Sequence, residues 1–225
     1  MAQFPSRSIY EQELNTMSDS VLRLGSMVNE AIENAFMAMA NRDSELAQSV
    51  INGDAEINQL RFQIEELAQK ILATQQPTAR DLRFIIAAIH TAVELERIGD
   101  HAAGIARIAL RIQATPSTDL DLSRLPKMAH RAEDMLSKAM EAFATRDVEI
   151  ANKIVRRDQK LDRHYREFFT QAMAHMSDPE RAEIATYMLW VAHNLERIGD
   201  RATNIAERVI FMVTGQYTEV LEEYA

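Results

Sequence analysis

The sequence predicts an all-α protein built from two tandem, pseudo-symmetric three-helix bundles, with six long antiparallel helices in total. Three observations support this prediction. The chain of 225 residues has only 6 Gly and 5 Pro, and residues that favour helix are frequent. Apolar residues recur at alternating gaps of three and four over long segments, which is the spacing of one helix face. The second half of the chain also repeats the pattern of the first half.

Three helices are predicted in the first half. The first covers about residues 10–40 and the second about residues 43–74, each with an apolar seam. Gly53 stands at the one position where the second seam lacks an apolar side chain. Pro77 ends the second helix, because proline cannot continue the backbone hydrogen bonds, and a third helix begins close behind it and runs to about Ile112.

The segment ATPSTDLDL at residues 114–122 is short, polar and interrupted by proline, so it is predicted to be a linker. Three further helices are predicted over residues 123–144, 147–176 and 178–214. The predicted organisation is a first bundle over 1–113, a linker over 114–122, a second bundle over 123–215 and a tail over 216–225.

An internal repeat relates the two halves. NRDSELAQSVINGDAEINQL at 41–60 matches TRDVEIANKIVRRDQKLDRH at 145–164, at an offset of 104 residues. LERIGDHAAGIARIAL at 95–110 matches LERIGDRATNIAERVI at 195–210, at an offset of 100. A repeat of this length is too long for a solenoid unit and fits a duplicated helical bundle. The two bundles are expected to join end to end or side by side.

The net charge of the chain limits the kinds of molecule that the protein is expected to bind. The formal net charge is −9 and the pI is about 5.2, which argues against nucleic acid and favours cations or basic protein surfaces. Acidity that serves only solubility is the plainer alternative. The absence of cysteine excludes disulfides and thiolate metal sites. No apolar run reaches the length of a membrane span and no export leader opens the chain, so a cytoplasmic location is expected.

Carboxylates four residues apart recur at equivalent places, and on a helix such residues stand one above the other. The like-charge repulsion costs roughly 0.2–0.5 kcal/mol per pair in an isolated helix, and a bound cation would reverse its sign. The candidate ligands are the pairs Glu96–Asp100 and Glu196–Asp200 on the third and sixth helices, Asp158–Asp162 on the fifth, its counterpart Asp54–Asn58 on the second, and Asn204 on the sixth.

If the second and third helices of a bundle are neighbours, the acidic stripes face each other across their groove. Such an all-oxygen ligand set suits the hard cations Mg²⁺, Mn²⁺ and Ca²⁺, and iron. The alternative is a solvated helix face, with Arg97 and Arg197 neutralising the carboxylates locally. Gly99 and Gly199 lie beside the apolar seam, where close approach of two helices is favoured over a hinge.

Nothing in the sequence points to catalysis. None of the six histidines follows a Glu at the three-residue spacing of di-iron carboxylate enzymes, and no phosphate loop or nucleophile elbow is present. His164 lies on an apolar seam and is predicted to be buried and hydrogen-bonded. His193, three residues before Glu196, is a minor candidate ligand.

The duplicated three-helix plan, the PTARDLR turn at 77–83 and the twin ERIGD strings resemble the PhoU family of phosphate-signalling proteins. The likeness covers about residues 10–215. It implies a cytoplasmic, non-enzymatic, homodimeric regulator that represses the phosphate-starvation response by linking the ATPase subunit of a phosphate ABC importer to a sensor histidine kinase. It also implies bound metal ions (iron, manganese, magnesium or zinc), in some members as multinuclear clusters.

Carried onto this chain, the metal motifs of the family are Glu96–Asp100 and Glu196–Asp200, with Asp158–Asp162 as the partner pair. Asn58 stands where a second acid is expected. Gly104 occupies the position in the first repeat that corresponds to Asn204 in the second. The second bundle is therefore the preferred site. Two other readings stay open: a helical scaffold or dimerisation protein without functional metal, and a metal-dependent phosphohydrolase.

Overall fold

The computed structural model describes residues 7–114, 122–155, 158–176 and 178–216. The described residues form seven α-helices and one 3-10 turn, without a strand. The elements are α1 (Arg7–Asn41), α2 (Ser44–Gln75), α3 (Ala79–Arg111), the 3-10 turn (Ile112–Ala114), α4 (Arg124–Thr145), α5 (Val148–Val155), α6 (Asp158–His175) and α7 (Pro179–Thr214).

The predicted all-α class is confirmed, and the helix limits agree with those predicted from the sequence to within a few residues. The predicted fifth helix corresponds to α5 and α6, and residues 156 and 157 between them lie outside the described part of the chain. Most of the predicted linker and nearly all of the predicted tail also lie outside it.

A repeated Arg–Asp dipeptide makes the first turn of each bundle. Arg42 and Arg146 adopt the left-handed conformation, with φ of 53° and 56°, and so end α1 and α4. Asp43 Oδ1 then accepts the Leu46 backbone N–H at 3.0 Å, which satisfies a free donor at the start of α2. Asp147 Oδ1 accepts the backbone N–H groups of residues 149 and 150 in the same way. The dipeptide recurs because this turn chemistry recurs.

Each bundle is held together by its apolar seams. Helices α1, α2 and α3 pack on one another, and α4, α5 and α6 pack against α7. Met17, Leu24, Ile64 and Ile98 are fully buried in the first bundle, and the second has equivalent residues such as Ile198. The driving force is removal of these apolar side chains from water.

The two bundles lie side by side, because α3 packs along α7 and α1 packs against α4. At Gly25 of α1, an added Cβ would lie 2.8 Å from the Met140 side chain of α4, so the two helices approach closely there. The hydrophobic core is continuous through both bundles.

The α3–α7 interface has pseudo-twofold symmetry. Glu94 of α3 accepts hydrogen bonds from Arg201 at 3.3 Å and Asn204 at 3.2 Å on α7. At the equivalent place, Asn194 Oδ1 of α7 lies 3.0 Å from His101 Nδ1 of α3. The two sets pair early residues of one helix with late residues of the other, so the helices are antiparallel. An interface of this kind uses the same surface on both partners.

This interface corrects one interpretation made from the sequence. The difference between Gly104 and Asn204 was read as a sign of a weaker first metal site. The structure places both positions in the α3–α7 interface instead. A Cβ at Gly104 would lie 3.1 Å from Asn194 Oδ1, whereas Asn204 reaches Glu94. The difference therefore reflects two unequal ends of one interface.

None of the helices in the described part of the chain combines the length and the apolar character needed to cross a membrane.

Candidate metal centre

Three carboxylates from two neighbouring helices converge on the surface of the second bundle. Asp162 of α6 and Glu196 and Asp200 of α7 each offer an oxygen, and these oxygens lie within 4.8 Å of one another. All three side chains are partly buried. The expectation that acidic stripes of adjacent helices face each other across a groove is confirmed for these residues.

The apolar seams fix this geometry. Leu161 precedes Asp162 and is fully buried, as are Leu195 and Ile198 beside the other two acids. Burial of these neighbours sets the rotation of α6 and α7 about their axes. The four-residue spacing then stacks Glu196 and Asp200 on the edge of α7 that adjoins α6.

Arg197 partly neutralises the cluster, and His193 lies beside it. Arg197 Nη1 donates to Asp200 Oδ2 at 2.7 Å, and His193 Nδ1 lies 3.5 Å from Glu196 Oε2. Burial, followed by the charge of Arg197, lowers the pKa of His193, which favours the neutral imidazole at pH 7. Burial and the charge of Glu196 raise the pKa of Tyr165. The alternative of local neutralisation therefore holds for Arg197, whereas Arg97 pairs with Glu94 and not with the acids of its own motif.

The donor set fits a hard cation. Three carboxylate oxygens this close together could all coordinate one ion, and such a ligand set suits Mg²⁺, Mn²⁺, Ca²⁺ or iron. The three acids also concentrate negative charge, which an ion would neutralise. A neutral His193 next to Glu196 would add a nitrogen donor of the kind that zinc and iron accept. An ion held there would join α6 to α7.

Two of the predicted ligands of the second bundle are not part of this group. The side chain of Asp158 lies outside the described residues, so its predicted position opposite Asp200 stays a prediction. The amide of Asn204 points into the α3–α7 interface, where its Nδ2 donates to Glu94.

The first bundle holds a looser version of the same arrangement. Burial, and then the charge of Asp100, raise the pKa values of both Asp54 and Glu96. Asp54 Oδ1 is buried and has no hydrogen-bond partner among the described residues. Asn58 donates to the backbone oxygen of Asp54 at 3.1 Å. Three acids therefore interact electrostatically across α2 and α3, but only the second bundle, in the part of the chain described, brings three within 4.8 Å.

Two other expectations have clear outcomes. Gly99 is buried, and a Cβ there would lie 3.2 Å from the Ile57 side chain of α2, which confirms the close approach of the two helices. His164 was predicted to be buried and hydrogen-bonded, but it is only partly buried and its Nδ1 has no hydrogen-bond partner within the described residues.

Sequence reasoning missed the aromatic side of the cluster. Tyr165 lies one turn after Asp162 and packs against His193, with ring centroids 5.9 Å apart. Glu94 was also missed, because its partners are on α7 and no local spacing connects them. For Tyr165, the sequence does contain one signal: its three-residue spacing from Asp162 places the two side chains on the same face of the helix.

Comparison with known proteins shows which family this chain resembles. A family model described as "PhoU domain" matches residues 21–109 and 125–209. The "Phosphate-specific transport system accessory protein PhoU" of Serratia marcescens is 39% identical, over 92% of this chain and 85% of that protein. The protein of the same name from Escherichia coli (strain K12) is 37% identical, over 92% and 86%.

Two solved structures have the same fold. PhoU from Pseudomonas aeruginosa superposes with a TM-score of 0.89 at 34% identity, covering 92% of this chain and 100% of that one. The phosphate transport system regulatory protein PhoU from Streptococcus pneumoniae superposes with a TM-score of 0.87 at 32% identity, covering 94% and 100%.

Proposed function

From its membership of the PhoU family, to which this chain belongs, we propose that the protein is a cytoplasmic, non-enzymatic negative regulator of phosphate uptake and of phosphate-starvation signalling. The relatives in Serratia marcescens and Escherichia coli are named as accessory proteins of a phosphate-specific transport system, which supports a role beside a phosphate importer. The proposed partners are the ATPase subunit of that importer and a sensor histidine kinase. The protein is proposed to act as a homodimer.

We further propose that the regulator binds metal through the second bundle. The observation that carries this part is the convergence of Asp162, Glu196 and Asp200 within 4.8 Å. The ion supplies positive charge between the three carboxylates. Asp200 is then shared between that ion and Arg197, whose hydrogen bond holds its Oδ2. Asp158 and the first-bundle set Glu96, Asp100, Asp54 and Asn58 remain proposed ligands of the same kind, whereas the Asn204 amide is held by Glu94.

Metal analysis of the purified full-length protein tests the metal proposal. After soaking in Mn²⁺ or Fe²⁺ and removal of excess ion, we expect bound metal in the unmodified protein and loss of the second-bundle share in Asp162→Asn with Asp200→Asn. The control pair Asp19→Asn with Glu183→Gln removes the same charge from exposed positions and should keep its metal. Equal metal content in the two double variants would remove this part of the proposal.

A reporter of the phosphate-starvation response tests the regulatory role. In a strain lacking this protein, the reporter should be active in phosphate-rich medium, and the unmodified protein should restore repression. The Asp162→Asn, Asp200→Asn variant should restore it incompletely at equal protein abundance. A reporter that stays repressed without the protein contradicts the regulatory role. Full repression by the variant would separate regulation from metal binding.

One observation favours the alternative of a helical scaffold without functional metal. The Arg197–Asp200 pair already neutralises one acid of the cluster through a hydrogen bond of 2.7 Å. Under this alternative, chelation of metal leaves the melting temperature and partner binding unchanged. Under the metal proposal, chelation lowers the melting temperature, because an ion bound only by the folded state stabilises it.

A further inference from the structure

A groove between α4 and α6 is lined mainly by basic side chains, in a protein whose formal net charge is −9. Its volume is about 460 Å³. Three of its residues carry a permanent positive charge at neutral pH and only one is acidic, so the groove has a positive potential against an acidic background. The lining consists of Lys127, His130, Arg131, Asp134, Met135, Lys160 and His164.

The basic groups form two facing rows. Lys127 and Arg131 are four residues apart on α4, which places them one turn, or roughly 6 Å, apart along the helix axis. Lys160 and His164 have the same spacing on α6. Two rows of donors along a groove suit an elongated anion that carries charge at several points.

The protein itself leaves these donors unused. Among the residues that the structure describes, Lys127, Arg131 and Lys160 make no ion pair. The Nδ1 atom of His164 is buried and makes no hydrogen bond within the same part of the chain. The one acid of the groove, Asp134, lies 3.8 Å from Lys138. Among the described side chains, three cations therefore lack an acceptor and one buried polar atom lacks a hydrogen-bond partner.

The equivalent groove of the first bundle has the opposite charge. It lies between α1 and α2, and its charged lining residues are Glu30, Glu45 and Glu56. At the repeat offset, Arg131 stands where the first half has Met27, and Lys160 where it has Glu56. Because both bundles fold with the same architecture, packing does not require the cations of the second groove.

We propose that the groove between α4 and α6 binds a linear oligophosphate anion. Phosphoryl groups present several charged acceptor oxygens in a row. The planar guanidinium of Arg131 can hold one of them through two parallel hydrogen bonds, and the lysines act as point charges on the others. Inorganic triphosphate and the triphosphate chain of a nucleotide share this chemistry. The site is separate from the carboxylate cluster and does not depend on the regulatory role proposed above.

Calorimetric titration of the full-length protein, treated with chelator and dialysed, tests the proposal. The titrants are sodium tripolyphosphate, ATP and sodium sulfate, each at the same total ionic strength. We expect saturable binding of tripolyphosphate and no comparable binding of sulfate. Arg131→Gln with Lys160→Gln should weaken tripolyphosphate binding by at least about tenfold, because each change removes a charge-assisted hydrogen bond.

The control Arg23→Gln with Arg80→Gln removes the same charge from exposed positions outside the groove and should leave the affinity within about twofold. Similar binding of ATP and tripolyphosphate shows that the phosphate chain is recognised whatever it is attached to. Tighter binding of ATP than of tripolyphosphate shows that the ligand is a nucleotide and not an inorganic oligophosphate. Absence of tripolyphosphate and ATP binding, binding no tighter than that of sulfate, or equal weakening in the control overturns the proposal. Circular dichroism of each variant confirms that it is folded.

Discussion

At the scale of single residues, charged side chains in this protein hold two kinds of position. Asp43 and Asp147 accept backbone donors and begin helices, so their charge is used within the fold. Asp162 and Glu196 instead lie where acids of two helices meet, at a cost in mutual repulsion. The sequence alone does not separate the two kinds of acid; the structure does, because backbone N–H groups donate to Asp43 and Asp147.

Asp81 shows how the PTARDLR turn is built. Its Oδ2 accepts hydrogen bonds from Tyr10 of α1 at 2.9 Å and from Thr78 at 3.1 Å. These contacts tie the start of α3 to α1 after the break at Pro77. Burial, the hydrogen bond and the charge of Asp81 raise the pKa of Tyr10 from 10.0 to about 12.

This shift predicts a pH dependence. A group whose pKa is higher in the folded state stabilises the fold below the unfolded-state value and loses that contribution as pH rises through the folded-state value. The Tyr10–Asp81 contribution should therefore be complete below pH 10 and fall between pH 10 and 12. Absorbance titration of the phenolate should show a late component near pH 12 that disappears in Tyr10→Phe. An unchanged titration curve in that variant contradicts the assignment, provided that circular dichroism shows folded protein.

At the scale of the elements, contacts between helices determine whether a glycine position has room for a side chain. A Cβ at Gly53 of α2 meets no atom within 4 Å, whereas a Cβ at Gly99 of α3 meets two carbons of buried Ile57 at 3.2 Å. One of those carbons is attached directly to the Ile57 Cβ, so it cannot move away without a change of rotamer.

These two glycines give a matched pair of substitutions. Gly53→Ala should stabilise the protein by up to about 1 kcal/mol, because alanine favours helix more than glycine does. Gly99→Ala makes the same helix gain, but overpacking against Ile57 costs about 1–3 kcal/mol, so this variant should be the less stable of the two by about that amount. Urea unfolding of both variants gives the comparison. If Gly99→Ala is as stable as Gly53→Ala, the close approach of α2 and α3 does not constrain this position.

The contact between α3 and α7 also predicts an energetic coupling. The side chains of Glu94 and Arg201 are 14% and 18% exposed, so water screens their ion pair only in part. A double-mutant cycle with Glu94→Gln and Arg201→Gln should give a coupling free energy of about 1–3 kcal/mol. The measurement is chemical unfolding of the four proteins. A coupling below about 0.5 kcal/mol would show that the pair does not stabilise the interface.

At the scale of the whole molecule, the two bundles form a single body. Helices α3 and α7 pack along each other, and one continuous apolar core runs through both bundles. Unfolding one bundle would expose the apolar face of the other, so the two should unfold together.

The single tryptophan allows a test. Trp190 lies on α7 in the second bundle, whereas far-ultraviolet circular dichroism reports helix from both bundles. In urea, the two signals should change in one coincident transition. The metal-free protein is the right sample, because an ion in the second bundle would stabilise it selectively. A fluorescence transition that separates from the circular dichroism transition would show that the bundles unfold independently.

The carboxylate cluster and the basic groove are both on the second bundle, at different helix pairs. The cluster joins α6 to α7, and the groove lies between α4 and α6. Helix α6 therefore contributes to both, and its equivalent region of α2 contributes to an acidic groove instead. Duplication gave two copies of one scaffold, and substitution at the surface gave the copies different charge.

The sequence by itself determined the helices, their limits and the duplication. These features follow from local rules: apolar spacing sets the buried face of a helix, and Pro77 and the Arg–Asp turns set its ends. It also placed Glu196 and Asp200 on one face of α7, because a four-residue spacing is fixed by helix geometry.

Only the tertiary structure decided which stripes meet. The rotation and neighbours of each helix depend on the packing of the whole molecule, and no spacing along the chain encodes the distance from Asp162 to Asp200. The same reason explains why Asn204 belongs to the α3–α7 interface, where its partner Glu94 is 110 residues away. Contacts between residues far apart in the chain arise from the burial of many apolar side chains at once, and that collective packing fixed where the acids and bases of this surface came together.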